Sequence, residues 1–359
     1  MIDALDHLSG DPGRMHEEGL AARHALEQAR EEVAALLGAR PREVVFTSGA
    51  TESIAAAIHG AVGRGRDGDA SHPPHQVVPA VEHSAVRLTA ERASAVTIVE
   101  VDGHGRVDPE AVFAAITPGT VLVHVQWGNH EVGTLQPVAE IVAGCRERGV
   151  LVHVDAAQAA GRVPIAFDEL GADLLSISGH KLGGPAGTGA LLVRRGLRVE
   201  PLLLGGDQER ARRAGLEPVA ALVGLGAACA ELAATAEAEA VDARRRTDAL
   251  RTIAATIPDV TVLGDPQHQL PHLVCLGVAG VEPQGVLLGL DRAGIAAHSG
   301  SACATESLEP SPVLEAMGVD AHRSLRLSVG WSTTDADVAR VAEALPVTID
   351  HLRALARDV

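Results

Sequence analysis

The sequence has no tyrosine, and only three phenylalanines and two tryptophans among 359 residues. Its interior must be packed with aliphatic side chains and alanine, and stacked aromatic platforms of the kind that hold single-stranded nucleic acid are not expected. Positive charge is also short: 30 Lys and Arg stand against 47 Asp and Glu, a formal net charge of −17. Phosphate backbones and anionic membrane surfaces repel such a chain, so neither is expected as a general partner. No uninterrupted apolar run approaches the roughly 20 residues that span a bilayer. The opening stretch, MIDALDHLSGDPGRMHEEG, lacks the basic start and apolar core of a signal peptide. These absences predict a cytoplasmic protein.

Cysteine is sparse as well. Cys145, Cys229, Cys275 and Cys303 form no CxxC pair, and their spacing suits neither a zinc site nor a disulfide framework. No metal site is expected, and in a reducing compartment each is a free thiol. Cys145, Cys229 and Cys275 lie in helix-like or strand-like patterns and read as small buried hydrophobes. Cys303 lies among small and polar residues bounded by Pro310 and Pro312.

What is present is 46% hydrophobic and 21% charged, the balance of a soluble globular protein long enough for one large or two ordinary domains. A helical pattern over LAARHALEQAREEVAALLGA ends at Gly38, and the apolar runs EVVFT, QVVPAV, VTIVEV, TVLVHVQW, GVLVHVD, DLLSIS and GALLVR follow. Helical segments separate several of these runs, and several are apolar throughout. Both features indicate a largely parallel sheet covered on its two faces. The Gly- and Arg-rich LLLGGDQERARRAGLEP then leads into a long alanine-rich helix from about Pro218 to Thr256. After Pro258, short strands (VTVLG, PHLVCLGV, GIAAHS, SLRLSVG) mix with two helices. The expected architecture is α/β: a large domain over 1–250 with a mostly parallel sheet covered by helices, and a smaller α+β domain over 251–359.

Ligands of open α/β sheets bind beyond the carboxyl ends of the strands, so the polar residues that follow each strand matter most. TSGATES, after EVVF, opens a helix whose N–H groups and dipole form a phosphate seat, with the Thr51 hydroxyl at hand. Glu82 and His83 follow the second run. Asn129, His130 and Glu131 follow VLVHV, Asp155 and Gln158 follow GVLVHV, and Gly179, His180 and Lys181 follow DLLSIS. Singly, each is a helix cap, a core histidine or a loop charge. Together they match pyridoxal 5′-phosphate, which needs a lysine amine for its aldehyde, a carboxylate for its ring nitrogen and a seat for its phosphate. Lys181, Asp155 and the Thr51 turn fill those roles.

At this point the sequence resembles the cysteine desulfurases of the NifS/IscS kind, within the class V, fold-type I pyridoxal-phosphate enzymes. The segments that carry the resemblance are TSGATES, EHSAV, NHEVGTLQP, VDAAQ, SGHKLGGPAGTGAL, GGDQERARRAG, HSGSACATESLEPSPVL and SLRLSVG. The resemblance implies that Lys181 binds the cofactor, that His83 stacks on its ring and shuttles protons, and that Asp155 pairs with the pyridinium. It gives Gln158 to the phenolic oxygen and Ala50, Thr51, Ser178 and His180 to the phosphate. Asn129 and Arg326 face the substrate, Arg326 clamping its carboxylate. Cys303 attacks the sulfur of the bound L-cysteine, so the products are L-alanine and a Cys303 persulfide for a scaffold or carrier protein that accepts sulfur. A homodimer is implied in the same way.

The chain departs from that pattern at three places. The family's opening strand, with LDNAATTP or similar, is missing, which reads as a truncated or misassigned start. Leu216 replaces the threonine that reaches the phosphate of a neighbouring subunit's cofactor, and His130 replaces the asparagine at the phenolic oxygen. Two other readings stay open from the residues: a class V lyase or aminotransferase acting on another amino acid, and a non-catalytic paralogue.

Overall fold

Apolar runs of four to seven residues become the strands of a first unit, made of Met1–Val99, Pro109–Trp127 and Pro137–Ala236. The structure is a computed structural model, and it describes residues 1–66, 72–299 and 310–357. The strands are β1 (Val44–Thr47), β2 (His75–Pro79), β3 (Ala95–Val99), β4 (Thr120–Gln126), β5 (Leu151–Asp155), β6 (Leu174–Ser178) and β7 (Gly189–Val193). The helices are α1 (Ile2–His7), α2 (Glu17–Leu36), α3 (Ala50–Arg66), α4 (Ser84–Ala93), α5 (Pro109–Ala114), α6 (Val138–Glu147), α7 (Phe167–Leu170), α8 (Gln208–Ala211) and α9 (Val219–Ala255).

The sheet runs β1-β7-β6-β5-β4-β2-β3. Strands β2 to β6 pair in parallel, while β7 is antiparallel to both β6 and β1. Two reversals cancel, so β1 points the same way as β6. The carboxyl ends of β1, β2, β4, β5 and β6 therefore share one edge of the sheet. As expected for a covered parallel sheet, these strands are buried along almost their whole length, whereas β3, at one margin, is half exposed.

The other margin, β1, is closed by side chains. Arg30 of α2 donates from Nη1 to the Val44 carbonyl at 3.1 Å, and Glu209 accepts from the Phe46 N–H at 2.8 Å. Arg30 and Glu209 also form a bidentate pair at 2.6 and 2.7 Å, both fully buried. Glu209, Arg210 and Ala211 all have positive φ, of 48, 59 and 59°. Left-handed backbone costs about 1–2 kcal/mol at each such residue, and the ion pair is what holds the segment there. No pattern in the sequence foretold this strain.

Helix α9 is the one helix among the described residues long and apolar enough, by length and composition, to cross a membrane. Its uninterrupted apolar run stops at Glu231. Leu222, Leu225 and Cys229 are buried, and Gly226 lies so close to α2 that an added Cβ would stand 2.6 Å from the Ala29 Cα. That is the contact of a packed core helix.

The second unit comprises Glu100–Asp108, Gly128–Gln136 and Glu237–Val359, so the division falls within α9. Its antiparallel sheet is β10-β9-β8, from β8 (Val260–Leu263), β9 (Leu273–Val278) and β10 (Ser324–Ser328). Helices α10 (Pro283–Arg292), α11 (Pro312–Ala316) and α12 (Asp335–Arg357) complete it. Leu250, Ala254, Leu276, Leu290, Leu325, Leu345 and Ile349 are among its core residues. GIAAHS, expected as a strand, makes only an isolated bridge from His298 to Arg326, because most of the run is exposed or half-exposed.

Inside the first sheet a chain of polar side chains crosses four adjacent parallel strands. Gln76 Oε1 lies 2.9 Å from His124 Nε2, His124 Nδ1 lies 3.1 Å from His153 Nδ1, and His153 Nε2 lies 2.8 Å from Ser176 Oγ. Gln76 Oε1 can only accept, which makes His124 Nε2 the donor and leaves its Nδ1 as acceptor. His153 then carries its proton on Nδ1, and Ser176 donates to Nε2. Every atom is satisfied only when both rings are neutral. Burial, then the neighbouring His153, holds His124 well below the usual imidazole range, and burial brings His153 down to about 3.

Unfolded, both rings take protons near pH 6.5, so between about 6.5 and 3 the unfolded chain binds more protons than the folded one. Stability is therefore full above about pH 6.5 and is lost as pH falls toward 3, by up to about 1.4 kcal/mol per pH unit for each histidine. Urea midpoints measured between pH 8 and pH 4 will fall with pH. The slope will be shallower in the His124→Leu/His153→Leu double variant.

Candidate active site

Helix α3 starts directly after β1, and its own ladder leaves the first-turn N–H groups at Ala50 and Thr51 without helical acceptors. Thr47 and Ser53 lock the turn through their hydroxyls at 2.8 Å. Gly49 has φ of +150°, and the place its Cβ would take lies 3.9 Å from Ser178 Oγ. On the far side, a Cβ at Gly189 would meet the Gly49 Cα at 2.6 Å. The turn after β1 is thus pressed against β7, with the Ser178 hydroxyl at the end of β6 facing it. Ser178 Oγ lies 3.0 Å from His180 Nδ1, and His180 is lowered by burial and by the Lys181 charge. Ala50, Thr51, Ser178 and His180 make a small basin of donors at a helix N-terminus, the arrangement that takes a phosphate.

His83 caps α4, its Nδ1 accepting the Ala85 N–H at 3.1 Å. The proton of the neutral ring therefore sits on Nε2. Asp155 ends β5, is 7% exposed, and accepts the Ala157 N–H at 2.9 Å. Gln158 is half-buried in the turn that follows, and Lys181 is exposed just past β6. Lys181 is also the only lysine in the chain, a signal that composition alone carries.

Asn129, His130 and Glu131 follow β4 in sequence but belong to the second unit, as does Arg326. Asn129 Oδ1 accepts the N–H groups of Glu131 and Val132 at 2.8 and 2.9 Å, which shapes the loop. His130 is 8% exposed. Its carbonyl accepts from Arg326 Nη1 at 2.9 Å, and its Nε2 lies 3.4 Å from Glu131 Oε1. The other Glu131 oxygen takes the Ser311 hydroxyl at 2.5 Å, a link from this loop to the N-cap of α11 that nothing in the sequence announced. Arg326 is half-buried on β10, its backbone bridged to His298.

Cys303 lies outside the described residues. Cys145, Cys229 and Cys275 are all buried, and burial pushes each thiol up to about 12. None is a thiolate at neutral pH, so none is a nucleophile. Leu216 is 64% exposed.

Around the first sheet's carboxyl edge stand the Lys181 amine, the Asp155 carboxylate, the His83 imidazole and a donor basin. This donor set fits pyridoxal 5′-phosphate: amine for aldehyde, carboxylate for ring nitrogen, basin for phosphate. The glycine-only approach at Gly49 and Gly189 supplies the close backbone that a phosphate seat requires.

The chain matches the Aminotransferase class-V family over residues 1–341. A cysteine desulfurase of Trichormus azollae is 43% identical over 356 residues, covering 96% of this chain and 87% of the relative. The solved NifS-like protein from Rickettsia africae superposes with a TM-score of 0.86 at 28% identity, covering 97% of this chain and 94% of its own. SspA, solved in complex with cysteine, gives a TM-score of 0.79 at 30% identity, covering 91% and 92%. The fold is that of fold-type I pyridoxal-phosphate enzymes, as expected, and the cofactor is pyridoxal phosphate.

Because the chain has a single lysine, borohydride reduction after loading with pyridoxal phosphate should fix one pyridoxyl group per chain on the peptide that contains Lys181. Mass spectrometry of the digest reads this directly. The Lys181→Ala variant should carry none on that peptide.

Proposed function

We infer function from membership: the chain belongs to the class-V aminotransferase family and is closely related to the cysteine desulfurases of the NifS/IscS kind. It is a pyridoxal-phosphate-dependent cysteine desulfurase that converts L-cysteine to L-alanine. When bound, the cofactor supplies an electron sink that no side chain can provide.

The residue roles are the finer part of the reading. Lys181 Nζ binds the cofactor aldehyde and takes and returns protons at the substrate's carbon. His83 would stack on the cofactor's ring, with Nε2–H as its proton to give. Asp155 keeps the ring nitrogen protonated, and Gln158 contacts the phenolic oxygen, with His130 as a second donor there. Ala50, Thr51, Ser178 and His180 hold the phosphate. Arg326 grips the substrate carboxylate beside Asn129, its planar fork suited to two oxygens.

The Cys303 thiolate attacks the substrate sulfur. The new S–S bond forms as the C–S bond breaks, and the departing electron pair stays on carbon, which a proton then completes to alanine. The resulting Cys303 persulfide passes its outer sulfur to a scaffold or carrier protein. Support for Cys303 comes by elimination, since the other three cysteines are buried and held near 12. Exposed Leu203, Leu204 and Leu216 offer an apolar surface for a homodimer. The reading is of a cytoplasmic enzyme.

The observation that carries this reading is the sole lysine standing at the end of β6, on a sheet whose neighbouring strand ends in Asp155. Incubation with pyridoxal phosphate, L-cysteine and a reductant should release alanine and sulfide in equal amounts. Lys181→Ala and Cys303→Ala should abolish sulfide, and Arg326→Ala should raise KM for cysteine roughly 10- to 100-fold through the lost charge-assisted bonds. Sulfide that persists in Cys303→Ala sinks the assignment of the nucleophile, and absence of both products in the loaded wild type sinks the activity.

A further inference from the structure

Glu82 precedes His83 and is assigned no part in the site. It is 3% exposed. Oε1 accepts the Gln126 N–H at the end of β4, at 2.5 Å. Oε2 is buried and has no hydrogen-bond partner. No arginine, lysine or histidine is paired with it among the described residues. An ionised carboxylate has about four acceptor positions to satisfy, and a single N–H donor leaves most of them empty in a dry site.

The next strand supplies the second acid. Gln126, whose N–H Glu82 accepts, is the register partner of Asp155 across β4 and β5. Two carboxyl groups therefore stand at neighbouring strand ends, both nearly sealed from water. Two buried like charges that act on each other disfavour joint ionisation, and the proton goes to the group in the poorer environment. Asp155 is the better solvated and has the Ala157 N–H; Glu82 is the more enclosed. Burial first, and then the Asp155 charge, push the Glu82 carboxyl well above the usual carboxylate range, the Gln126 bond acting weakly against them. The proton belongs on Oε2, which has no hydrogen-bond partner, because an unpartnered neutral O–H in a buried site costs far less than an unpartnered charge.

We propose that Glu82 is a positioning residue that works as a neutral, proton-bearing carboxylic acid, acting through Asp155 so that the strand ends present one negative charge to the cofactor's ring nitrogen. The proposal rests on Asp155 as the partner of that nitrogen. An ionised Glu82 would raise the proton affinity of Asp155 and leave the wrong acid charged. A neutral one keeps the charge where the pyridinium needs it, while its carbonyl oxygen fixes the end of β4 through Gln126.

The test starts from the cofactor-free chain at neutral pH. An infrared difference spectrum, wild type minus Glu82→Gln, should contain the carbonyl stretch of a neutral carboxylic acid, shifted in D2O. If wild type lacks that band, the proposal is overturned. Absorbance titration then gives pyridoxal-phosphate affinity. Glu82→Gln, neutral and of the same shape, should stay within about threefold of wild type, whereas Glu82→Ala, which strands the buried Gln126 N–H, should weaken binding about tenfold or more. A Gln variant as weak as the Ala variant would mean that charge at 82 matters, and would overturn the proposal. Should the Ala variant not fold, the infrared comparison and the Gln titration still decide. Failure of wild type to bind pyridoxal phosphate would instead refute the cofactor site, because the infrared signature needs no cofactor.

Discussion

Gln126, Asp155 and Ser176 are register partners across three parallel strands, and the first unit's chemistry depends on that alignment. Parallel pairing brings strand ends level, and each strand then hands its next residues to the same edge. Asp155 ends one strand, Ser178 ends the next with Lys181 just beyond it, and Glu82 reaches across to the N–H of Gln126. A one-residue slip would turn Asp155 to the other face of the sheet, and with it the carboxylate proposed to pair with the ring nitrogen. The polar chain from Gln76 to Ser176 lies across the same strands. Its four side chains satisfy one another only in this register, so it selects the alignment while it remains neutral.

The sheet's margin imposes a second constraint. An unpaired strand edge normally has to be short, charged or covered. Here Arg30 and Glu209 cover β1, each bonding to the other and to the strand's backbone. Breaking such a buried pair by removing one partner typically costs about 3–5 kcal/mol, enough to offset the left-handed stretch at 209–211. The strained segment at 209–211 is therefore anchored to the sheet through Glu209, both directly at the Phe46 N–H and by way of Arg30.

Much of the site was legible because it obeys local rules. Thr51 follows a strand and lies in the first turn of a helix, Asp155 ends a strand, Lys181 follows one, and the small residues around them permit close backbone approach. The lysine count alone singles out Lys181. Other features were not legible. The residues Asn129–Glu131 come shortly after a strand of the first sheet yet lie in the second unit, where their loop pairs far along the chain, Leu135 with His268 and Gly133 with Leu270. GIAAHS reads as a short strand but makes only one isolated bridge. Glu131 meets Ser311 across 180 positions, and no local pattern encodes such a contact.

The sequence by itself determined the class of architecture and most of its strands and helices through periodicity, and the family and the cofactor through short motifs whose members are neighbours along the chain. It also determined that one amine alone could serve. Only the tertiary structure decided the protonation states and the strain: that His124 and His153 are neutral partners, that Glu82 is sealed beside Asp155, and that Glu209 is held in left-handed backbone by Arg30. Those properties depend on burial and on the charge of distant residues, and a residue's burial is set by what the rest of the chain packs against it.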